Sequence, residues 1–218
     1  MRLLAKGRAA DVYDLGDGTV LRRYREPWDT GREADIMRRL EAAGYPVPHV
    51  VSADGDDLVM ERIQGVTMLE DLARRPWRLV SHANLLATLM RRLHAIQADG
   101  GSILHGDFHP LNVLLTARGP VVIDWTAARV GPWPYDVAMT WVIMATSVPD
   151  DSGWQRALAT AGQSYFTRRF LRHFELEPVR AVLPEVGRLR LRDPHVTARE
   201  AARVRRLAGL VPEPEEFQ

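Results

Sequence analysis

The first sixty residues alternate between short apolar stretches and polar turns, which is the pattern of β-strands. Strands are predicted over residues 10–13, 19–24 and 57–61. The tripeptide Gly16-Asp17-Gly18 provides a turn between the first two of them. The pattern therefore predicts a small sheet at the start of the chain.

A helix is predicted between the second and third of these strands. Asp29 or Thr30 can cap its first turn, and Gly44 and Pro46 end it. Apolar residues recur along it at three- and four-residue spacing, at Ile36, Met37, Leu40 and Ala43. That spacing places them on one face of the helix.

A second helix and a hairpin are predicted in the middle of the chain. From Ser81 onward, leucines and other apolar residues recur every three or four positions, until Gly100-Gly101 ends the pattern. Two short apolar runs follow at 112–116 and 121–125, joined by Ala-Arg-Gly-Pro with Gly119 in the turn, which is typical of a β-hairpin. From 135 to 210 the pattern is mostly helical.

These elements predict an α+β fold with two lobes. A small, mostly β N-terminal lobe is expected over residues 1–63, and a larger, mostly α C-terminal lobe with the hairpin over residues 64–218. The length of 218 residues fits one domain, or two small lobes that share a cleft.

Composition excludes several classes of function. The chain has no cysteine, which removes disulfides, thiolate metal sites and cysteine nucleophiles. Its net charge of +1 is too small to attract the whole molecule to nucleic acids or anionic membranes, so neither partner is expected without a local basic patch. The apolar stretch 137–148 is too short to span a bilayer and no secretory signal begins the chain, so a cytoplasmic protein is expected.

The residues that best fit a reaction lie around the predicted hairpin. Val121, Val122 and Ile123 read as a buried strand that ends in Asp124, and an ionised carboxylate there needs a cation. Oxygen ligands from Asp124 and the Asn112 amide suit Mg²⁺, which usually shares its remaining positions with substrate phosphates. Asp107, five residues before Asn112 and between Gly106 and Pro110, can accept a proton from an attacking hydroxyl.

These segments resemble a known family, the aminoglycoside phosphotransferase and choline kinase group, which is related to the protein kinases. The likeness rests on His105-Gly106-Asp107 through Asn112, which matches the loop H-G-D-x-x-x-x-N, and on Ile123-Asp124-Trp125. It extends over roughly residues 1 to 150. The resemblance implies a two-lobed protein-kinase-like fold with a catalytic β-hairpin. It also implies an ATP-dependent enzyme that transfers the γ-phosphate to a hydroxyl of a small metabolite or antibiotic.

The resemblance also implies roles for single residues. Asp107 would be the catalytic base, while Asn112 and Asp124 would hold the Mg²⁺ ions that bridge the ATP phosphates. Glu33 would be the helix glutamate that positions a basic residue against the phosphates. Arg22 would be that basic residue, in a place where the family commonly has lysine.

Arg22 is preferred to its neighbour Arg23 because Val20, Arg22 and Tyr24 share one face of the strand. An error of one residue in the strand boundary would exchange the two arginines.

Nucleotide-binding residues are implied at two further places. The loop over residues 6–11 would cover the phosphates with Gly7, Arg8 and Ala9, although it has one glycine where protein kinases have three. The adenine would meet the carbonyl of Glu61 and the N–H of Ile63, with Met60 lining the pocket.

Three polar residues have a structural interpretation. His105 is expected to brace the catalytic loop by hydrogen bonds, and His94 to be a satisfied histidine of the core. Asp136 is expected to be a helix N-cap with helix-dipole and loop contacts.

Two other functions stay open: a nucleotide-binding protein that has lost turnover, and a protein kinase. Only residues 125–135 separate Asp124 from Asp136. This segment is too short for a long activation loop, which disfavours a protein kinase. Residues 140–210 hold twelve arginines and seven acidic residues, which disfavours a polycationic aminoglycoside as the acceptor. A neutral or anionic hydroxylated molecule is expected instead, and the oligomeric state is open.

Overall fold

The computed structural model describes residues 1–7, 9–147 and 153–210, with the backbone alone for 153–158. The chain divides into two compact units. The first contains Met1–Asp71 and Pro110–Arg129, and the second contains Leu72–His109 and Val130–Gln218. This grouping departs from the division predicted after residue 63, because residues 110–129 pack with the start of the chain.

The main sheet of the first unit has five antiparallel strands in the order β1-β2-β3-β5-β4. They are β1 (Arg2–Lys6), β2 (Ala10–Asp14), β3 (Thr19–Tyr24), β4 (Val50–Asp54) and β5 (Asp57–Glu61). The predicted bounds of β3 and β5 are confirmed, and β2 is one residue longer than predicted. The sequence pattern missed β1 and β4 because they are edge strands that leave most side chains exposed.

Helix α1 (Thr30–Ala42) lies between β3 and β4 in the chain. Asp29 is its N-cap and accepts a hydrogen bond from the Gly31 N–H at 3.0 Å, as predicted. Its buried face holds Ala34, Met37 and Leu40, whereas Ala43 lies past its end and is exposed. Glu33 is on the same buried face, which places a carboxylate in an apolar setting.

A three-stranded sheet completes the first unit, in the order β10-β9-β6. Its strands are β6 (Val66–Thr67), β9 (Val113–Thr116) and β10 (Gly119–Val122). The predicted hairpin exists, but its second strand begins earlier and ends at Val122, two residues before Asp124. Residues 117 and 118 connect the two strands, and Gly119, with φ of +114°, directly follows this connection in a conformation that favours glycine. Asp124 is therefore in the segment after the strand rather than at its end.

The second unit is built mainly from helices. They are α3 (Leu79–His94), α4 (Trp133–Thr146), α5 (Gly153–Leu171), α6 (Leu176–Leu191) and α7 (Ala198–Ala208), while α2 (Met68–Arg74) spans the boundary between the units. Helix α4 is buried along most of its length and packs against α5, α6 and α7. Gly187 lets α6 approach α7, because a Cβ there would lie 2.5 Å from the Ala208 Cβ.

A second three-stranded sheet has the order β11-β8-β7. Its strands are β7 (Gln97–Ala98), β8 (Gly101–Leu104) and β11 (Arg129–Gly131). Strand β8 leads directly into the loop that carries Asp107. Within the described residues, no helix combines the length and the hydropathy that crossing a membrane requires.

Candidate active site

Arg22 lies between two carboxylates of the first unit. Its NH1 group donates to Glu33 Oε1 at 3.1 Å, and its NH2 group donates to Asp124 Oδ1 at 2.6 Å. The Arg22 side chain is 14% exposed and that of Glu33 is 3% exposed, so the ion pair with Glu33 is largely shielded from water, whereas the pair with Asp124 is only partly buried. Arg23 points the other way and pairs with Asp57 in an exposed position. The alternation along β3 thus selects Arg22 as the arginine beside Glu33 and Asp124.

Two hydroxyl groups close this arrangement into a ring of five side chains, which we call the Arg22 ring. Tyr24 OH is 2.6 Å from Glu33 Oε2 and 3.0 Å from Thr126 Oγ1. Thr126 Oγ1 in turn donates to Asp124 Oδ1 at 2.8 Å. Every member of the Arg22 ring therefore contacts two others, which restricts the rotamers of Arg22 and Asp124 together.

The Arg22 ring has fewer hydroxyl protons than hydroxyl contacts. The Tyr24 and Thr126 hydroxyls bring two protons to three contacts, namely with Glu33, with each other and with Asp124. All three contacts can be hydrogen bonds only when one carboxyl group is protonated. Burial raises the pKa of Glu33 above its ordinary value, although Arg22 and the Tyr24 hydroxyl oppose this.

The pKa values of Arg22 and Tyr24 are also shifted by the other side chains of the ring and by burial. Burial disfavours the charged guanidinium, but the Asp124 and Glu33 carboxylates outweigh it and raise the pKa of Arg22. Burial also raises the pKa of the Tyr24 phenol. Arg22 is therefore a permanent cation, and Tyr24 stays a neutral hydroxyl.

Asp124 is held in an unusual backbone conformation. Its φ of +65° makes it the single non-glycine residue with positive φ among the described residues. Trp125 anchors the segment: its Nε1 donates to the Val122 carbonyl at 3.1 Å, and its ring meets Tyr45 edge-on at 5.8 Å. The side chain of Asp124 is 39% exposed, so a carboxylate of the first unit is available to a ligand.

Asn112 directly precedes the hairpin, and Asp124 follows it. The Asn112 carbonyl accepts a hydrogen bond from the Ile123 N–H at 3.0 Å, so the backbone joins the Asn112 segment to that of Asp124. The Asn112 side chain is buried. A carboxylate and an amide offer hard oxygen donors, which fit Mg²⁺. Within the part of the chain that the structure describes, no group of three acidic or histidine side chains forms a metal cluster, so the remaining ligands would be phosphate and water oxygens.

In the second unit, Asp136 organises the loop that carries Asp107. Asp136 is fully buried and accepts hydrogen bonds from the His105 N–H at 3.0 Å and the Gly106 N–H at 2.8 Å. His94 Nε2 lies 2.9 Å from the same carboxylate. Although burial opposes the charge, these contacts hold the pKa of Asp136 below its ordinary value. Asp136 lies in the first turn of α4, and the N-cap is Pro132, so the predicted N-cap role is wrong while the predicted loop contacts are present.

Asp107 itself is accessible. Its side chain is 39% exposed, and its Oδ2 lies 3.4 Å from His109 Nε2. The Asp107 N–H donates to His105 Nδ1 at 3.2 Å, and His105 is buried with its ring edge-on to Phe108. The bracing role predicted for His105 agrees with this geometry. Asp107 therefore has an exposed carboxylate, while its backbone N–H is held by a hydrogen bond to the buried His105 side chain.

The predicted phosphate-covering loop makes a tight turn. Gly7 donates its N–H to the Ala10 carbonyl at 2.9 Å, and a Cβ at Gly7 would lie 2.8 Å from that oxygen. The Ala9 carbonyl accepts a hydrogen bond from the Arg25 N–H at 3.0 Å. Arg8 lies outside the described residues. Since the N–H of Gly7 is already used, phosphate binding by this loop stays a prediction.

The predicted adenine contacts follow β5. Met60 and Glu61 are its last residues, and the Glu61 N–H donates to the His49 carbonyl at 2.8 Å. Among the described residues, the Ile63 N–H has no backbone hydrogen-bond partner, as an adenine contact requires. Sequence reasoning missed Tyr24 and Thr126 as members of the site, although each lies two residues beyond a predicted site residue, Arg22 and Asp124.

Comparison with known proteins gives the family. A model of the phosphotransferase enzyme family matches residues 1–102 and 78–174 of the chain. The chain belongs to this family. The resemblance to the aminoglycoside phosphotransferase group, which rests on residues 105–112 and 123–125, is confirmed.

Curated relatives of this family member include subunits of a protein complex. The EKC/KEOPS complex subunit BUD32 of Encephalitozoon cuniculi is 30% identical over 165 residues, which are 75% of this chain and 74% of the relative. A probable serine/threonine-protein kinase BUD32 homolog of Archaeoglobus fulgidus is 28% identical, over 58% of this chain and 60% of the relative. A probable bifunctional tRNA threonylcarbamoyladenosine biosynthesis protein of Methanoculleus marisnigri is 30% identical, but the match spans 24% of its length.

Solved structures confirm the fold. A thermostable mutant of aminoglycoside phosphotransferase APH(4)-Ia, in ternary complex with AMP-PNP and hygromycin B, aligns with a TM-score of 0.68 and 20% identity. The alignment covers 95% of this chain and 91% of that one. A choline/ethanolamine kinase family protein of Mesorhizobium loti aligns with a TM-score of 0.59 and 16% identity, over 99% of this chain and 88% of that one. The predicted α+β, protein-kinase-like fold is therefore correct.

Proposed function

We propose that this family member is an ATP-dependent phosphotransferase that transfers the γ-phosphate to a hydroxyl group of a small molecule. The Arg22 ring is the observation that carries the proposal. Arg22 is largely buried between Glu33 of helix α1 and Asp124. This supports a role for Arg22 in binding the ATP phosphates, with Glu33 positioning it and Asp124 proposed as the metal ligand.

Each candidate residue has a defined task in this proposal. Asp124 and Asn112 would hold Mg²⁺, which neutralises charge on the ATP phosphates. Arg22 would bind the phosphates as a planar cation with several donors. Asp107 would orient the acceptor hydroxyl and take up its proton as the phosphorus–oxygen bond forms. Met60, Glu61 and Ile63 would contact the adenine.

The acceptor is proposed to be a neutral or anionic alcohol. The excess of arginine over acidic residues in 140–210 opposes a polycationic substrate. ATP consumption should be measured with neutral sugars or amino alcohols, with hydroxy acids, and with aminoglycosides, and the phosphorylated product identified by mass. A product formed far better from aminoglycosides than from neutral or acidic alcohols would exclude this acceptor class.

A second candidate function is phosphorylation of a serine or threonine in a protein. Two curated relatives are named as subunits of the EKC/KEOPS complex, and another as a probable serine/threonine-protein kinase. The same assay separates the two functions when purified enzyme is incubated with ATP labelled at the γ-phosphate. Label in a protein band, with none in small molecules, would favour this second function.

ATP binding without any transfer is the remaining alternative. If ATP binds in the presence of Mg²⁺ and neither small molecules, proteins nor water receive phosphate, the chain is a nucleotide-binding protein that has lost turnover. The presence of Asp107, Asn112 and Asp124 together argues against this, because a protein without turnover needs no base.

A further inference from the structure

Two stretches of the second unit contain arginine but no acidic residue. Residues 72–98 hold five arginines, and residues 152–174 hold four, with neither aspartate nor glutamate in either stretch. All 28 acidic residues of the chain thus lie elsewhere. Although the total charge is near neutral, the positive and negative residues are separated along the chain. The two stretches without acidic residues contain helices α3 and α5.

Helices α3 and α5 pack against each other, which brings the two stretches close together. The Asn84 amide oxygen on α3 accepts a hydrogen bond from Arg169 Nε at 3.0 Å and lies 3.0 Å from His173 Nε2. Near the start of α3, Leu79 lies beside Gly162, where a Cβ would be 3.8 Å from the leucine Cδ1. The groups in these contacts are an amide, an arginine, a histidine and apolar atoms, so the contacts add no negative charge.

The positive charge is concentrated around His173. Burial, together with the nearby charges of Arg169 and Arg91, lowers the pKa of His173. Arg91 belongs to α3 and Arg169 to α5, so a cation of each helix lies close to His173.

Exposed side chains extend this charge along both helices. Tyr165 and Arg168 on α5, and Arg172 one residue past its end, recur at three- and four-residue spacing and are exposed. On α3, Arg91 and Arg92 are exposed in the last turn. We call a set of exposed arginines in α3, in α5 and directly after α5, together with Tyr165, the α3–α5 basic face: Arg91, Arg92, Tyr165, Arg168 and Arg172.

Aromatic side chains accompany the arginines. Tyr165 is 49% exposed, and Trp77, just before α3, is 75% exposed. Arginines 74, 75 and 78 flank Trp77 and are exposed as well. Arginine binds phosphates through its planar fork, and exposed rings offer platforms on which bases stack.

We propose that the α3–α5 basic face binds a nucleic acid through its phosphate backbone. The whole chain has a net charge of only +1, so attraction of a nucleic acid would come from this local cluster of arginines. The binding is independent of phosphoryl transfer, and it reverses the expectation of no nucleic-acid partner that the net charge of +1 suggested.

The proposal is tested by fluorescence anisotropy with the full chain and a labelled 20-nucleotide RNA, over 50 to 200 mM salt. Variant Arg91→Glu/Arg168→Glu/Arg172→Glu removes charge from the face. Variant Arg180→Glu/Arg188→Glu/Arg199→Glu makes the same change of charge on exposed arginines of α6 and α7. We expect the first triple to bind at least tenfold more weakly and its salt slope to fall by about three, and the control to lose less than threefold.

Further arms of the experiment identify the ligand. RNA and DNA of one sequence, as single strands and hairpins, distinguish the kinds of nucleic acid, and Trp77→Ala/Tyr165→Ala should weaken single strands more than hairpins. Equal losses in the two charge triples would overturn the proposal, because binding would then follow net charge alone. Tighter binding to poly-L-glutamate or phosphatidylserine vesicles than to RNA and DNA, or no binding at 50 mM salt, would overturn it too.

Folding and catalysis are controlled separately. Thermal unfolding checks each variant, and Arg91→Gln/Arg168→Gln/Arg172→Gln replaces the glutamate triple if that triple is unfolded. Phosphate transfer without nucleic acid should be unchanged in the first triple, so a failure of nucleic-acid binding is distinguishable from a failure of the proposed enzyme.

Discussion

At the scale of single residues, the substitution of arginine for the usual lysine explains the Arg22 ring. A lysine ammonium is a point charge, whereas the guanidinium of Arg22 presents separate nitrogens to Glu33 and to Asp124. The position of Arg22 on the strand could be predicted from the alternation of β3. The ring itself could not, because it depends on Thr126, which is distant from Tyr24 in sequence and meets it only in the folded chain.

Replacement of Asp107 by asparagine tests the proposed base. Asp107→Asn should lower kcat about 10²- to 10⁴-fold, because the amide cannot accept the proton of the acceptor hydroxyl. ATP affinity, measured by calorimetry, should change less than about threefold, since the loss is confined to the transition state. Asp99→Asn is the control in an exposed position of the same unit. A comparable loss of ATP affinity in Asp107→Asn would contradict the role of base.

Replacement of Tyr24 by phenylalanine tests the Arg22 ring. Tyr24→Phe leaves Glu33 and Thr126 without the shared hydroxyl, and should destabilise the protein by about 1–2 kcal/mol. The ring of Trp28 stacks on Tyr24 at 5.2 Å and keeps the phenyl group in place, so the change is confined to the hydroxyl. The KM for ATP should rise as Arg22 gains rotamers. Tyr13→Phe, on the neighbouring strand β2, should change neither stability nor KM; equal effects of both variants would exclude a specific role for the ring.

At the scale of elements, Asp136 connects α3, α4 and the catalytic loop within the second unit. Asp136→Asn should lower the free energy of unfolding by about 3 kcal/mol, because donors from His94, His105 and Gly106 lose a buried charge. Since folding lowers the pKa of Asp136, its contribution is complete above the ordinary value near 3.9 and is lost as the pH falls through the folded-state pKa.

Urea unfolding at several pH values checks this sign. The difference in stability between Asp136→Asn and the parent should be constant from pH 7 to about 5 and should narrow below about 4. Asp35→Asn, at a 79% exposed side chain of α1, should change stability by less than about 0.5 kcal/mol. A difference that widens toward low pH would show that Asp136 stabilises the fold in its protonated form.

Elements were predictable where local chemistry specifies them. The Asp29 cap fixed the start of α1, and apolar runs with flanking turns fixed β3 and β5. The prediction that Asp124 ends a strand is wrong, because the residue has a positive φ and follows the strand, which the run of apolar residues before it does not indicate. The prediction of an N-cap at Asp136 is also wrong, because the positions that Asp136 contacts, 94, 105 and 106, are 30 or more residues away in sequence.

At the scale of the whole molecule, the proposed nucleotide-binding residues all belong to the first unit, from Arg22 and Glu33 to Asn112 and Asp124. A ligand that binds the folded chain stabilises it in proportion to the logarithm of its concentration, by about 2.7 kcal/mol at one hundred times Kd. ATP with Mg²⁺ should therefore raise the unfolding temperature more than ATP alone. In hydrogen exchange, the added protection should be concentrated in β3, α1 and residues 112–124, the segments that carry these side chains.

Asp124→Ala separates the metal from the nucleotide in this measurement. The variant loses a carboxylate that Arg22 and Thr126 both contact, so it should retain part of the stabilisation by ATP but lose the increment that Mg²⁺ adds. Asp57→Ala removes a carboxylate from an exposed pair with Arg23 on the same sheet and should leave that increment intact. If Asp124→Ala keeps the full Mg²⁺ increment, Asp124 is no metal ligand, and the cation that balances its charge is Arg22 alone.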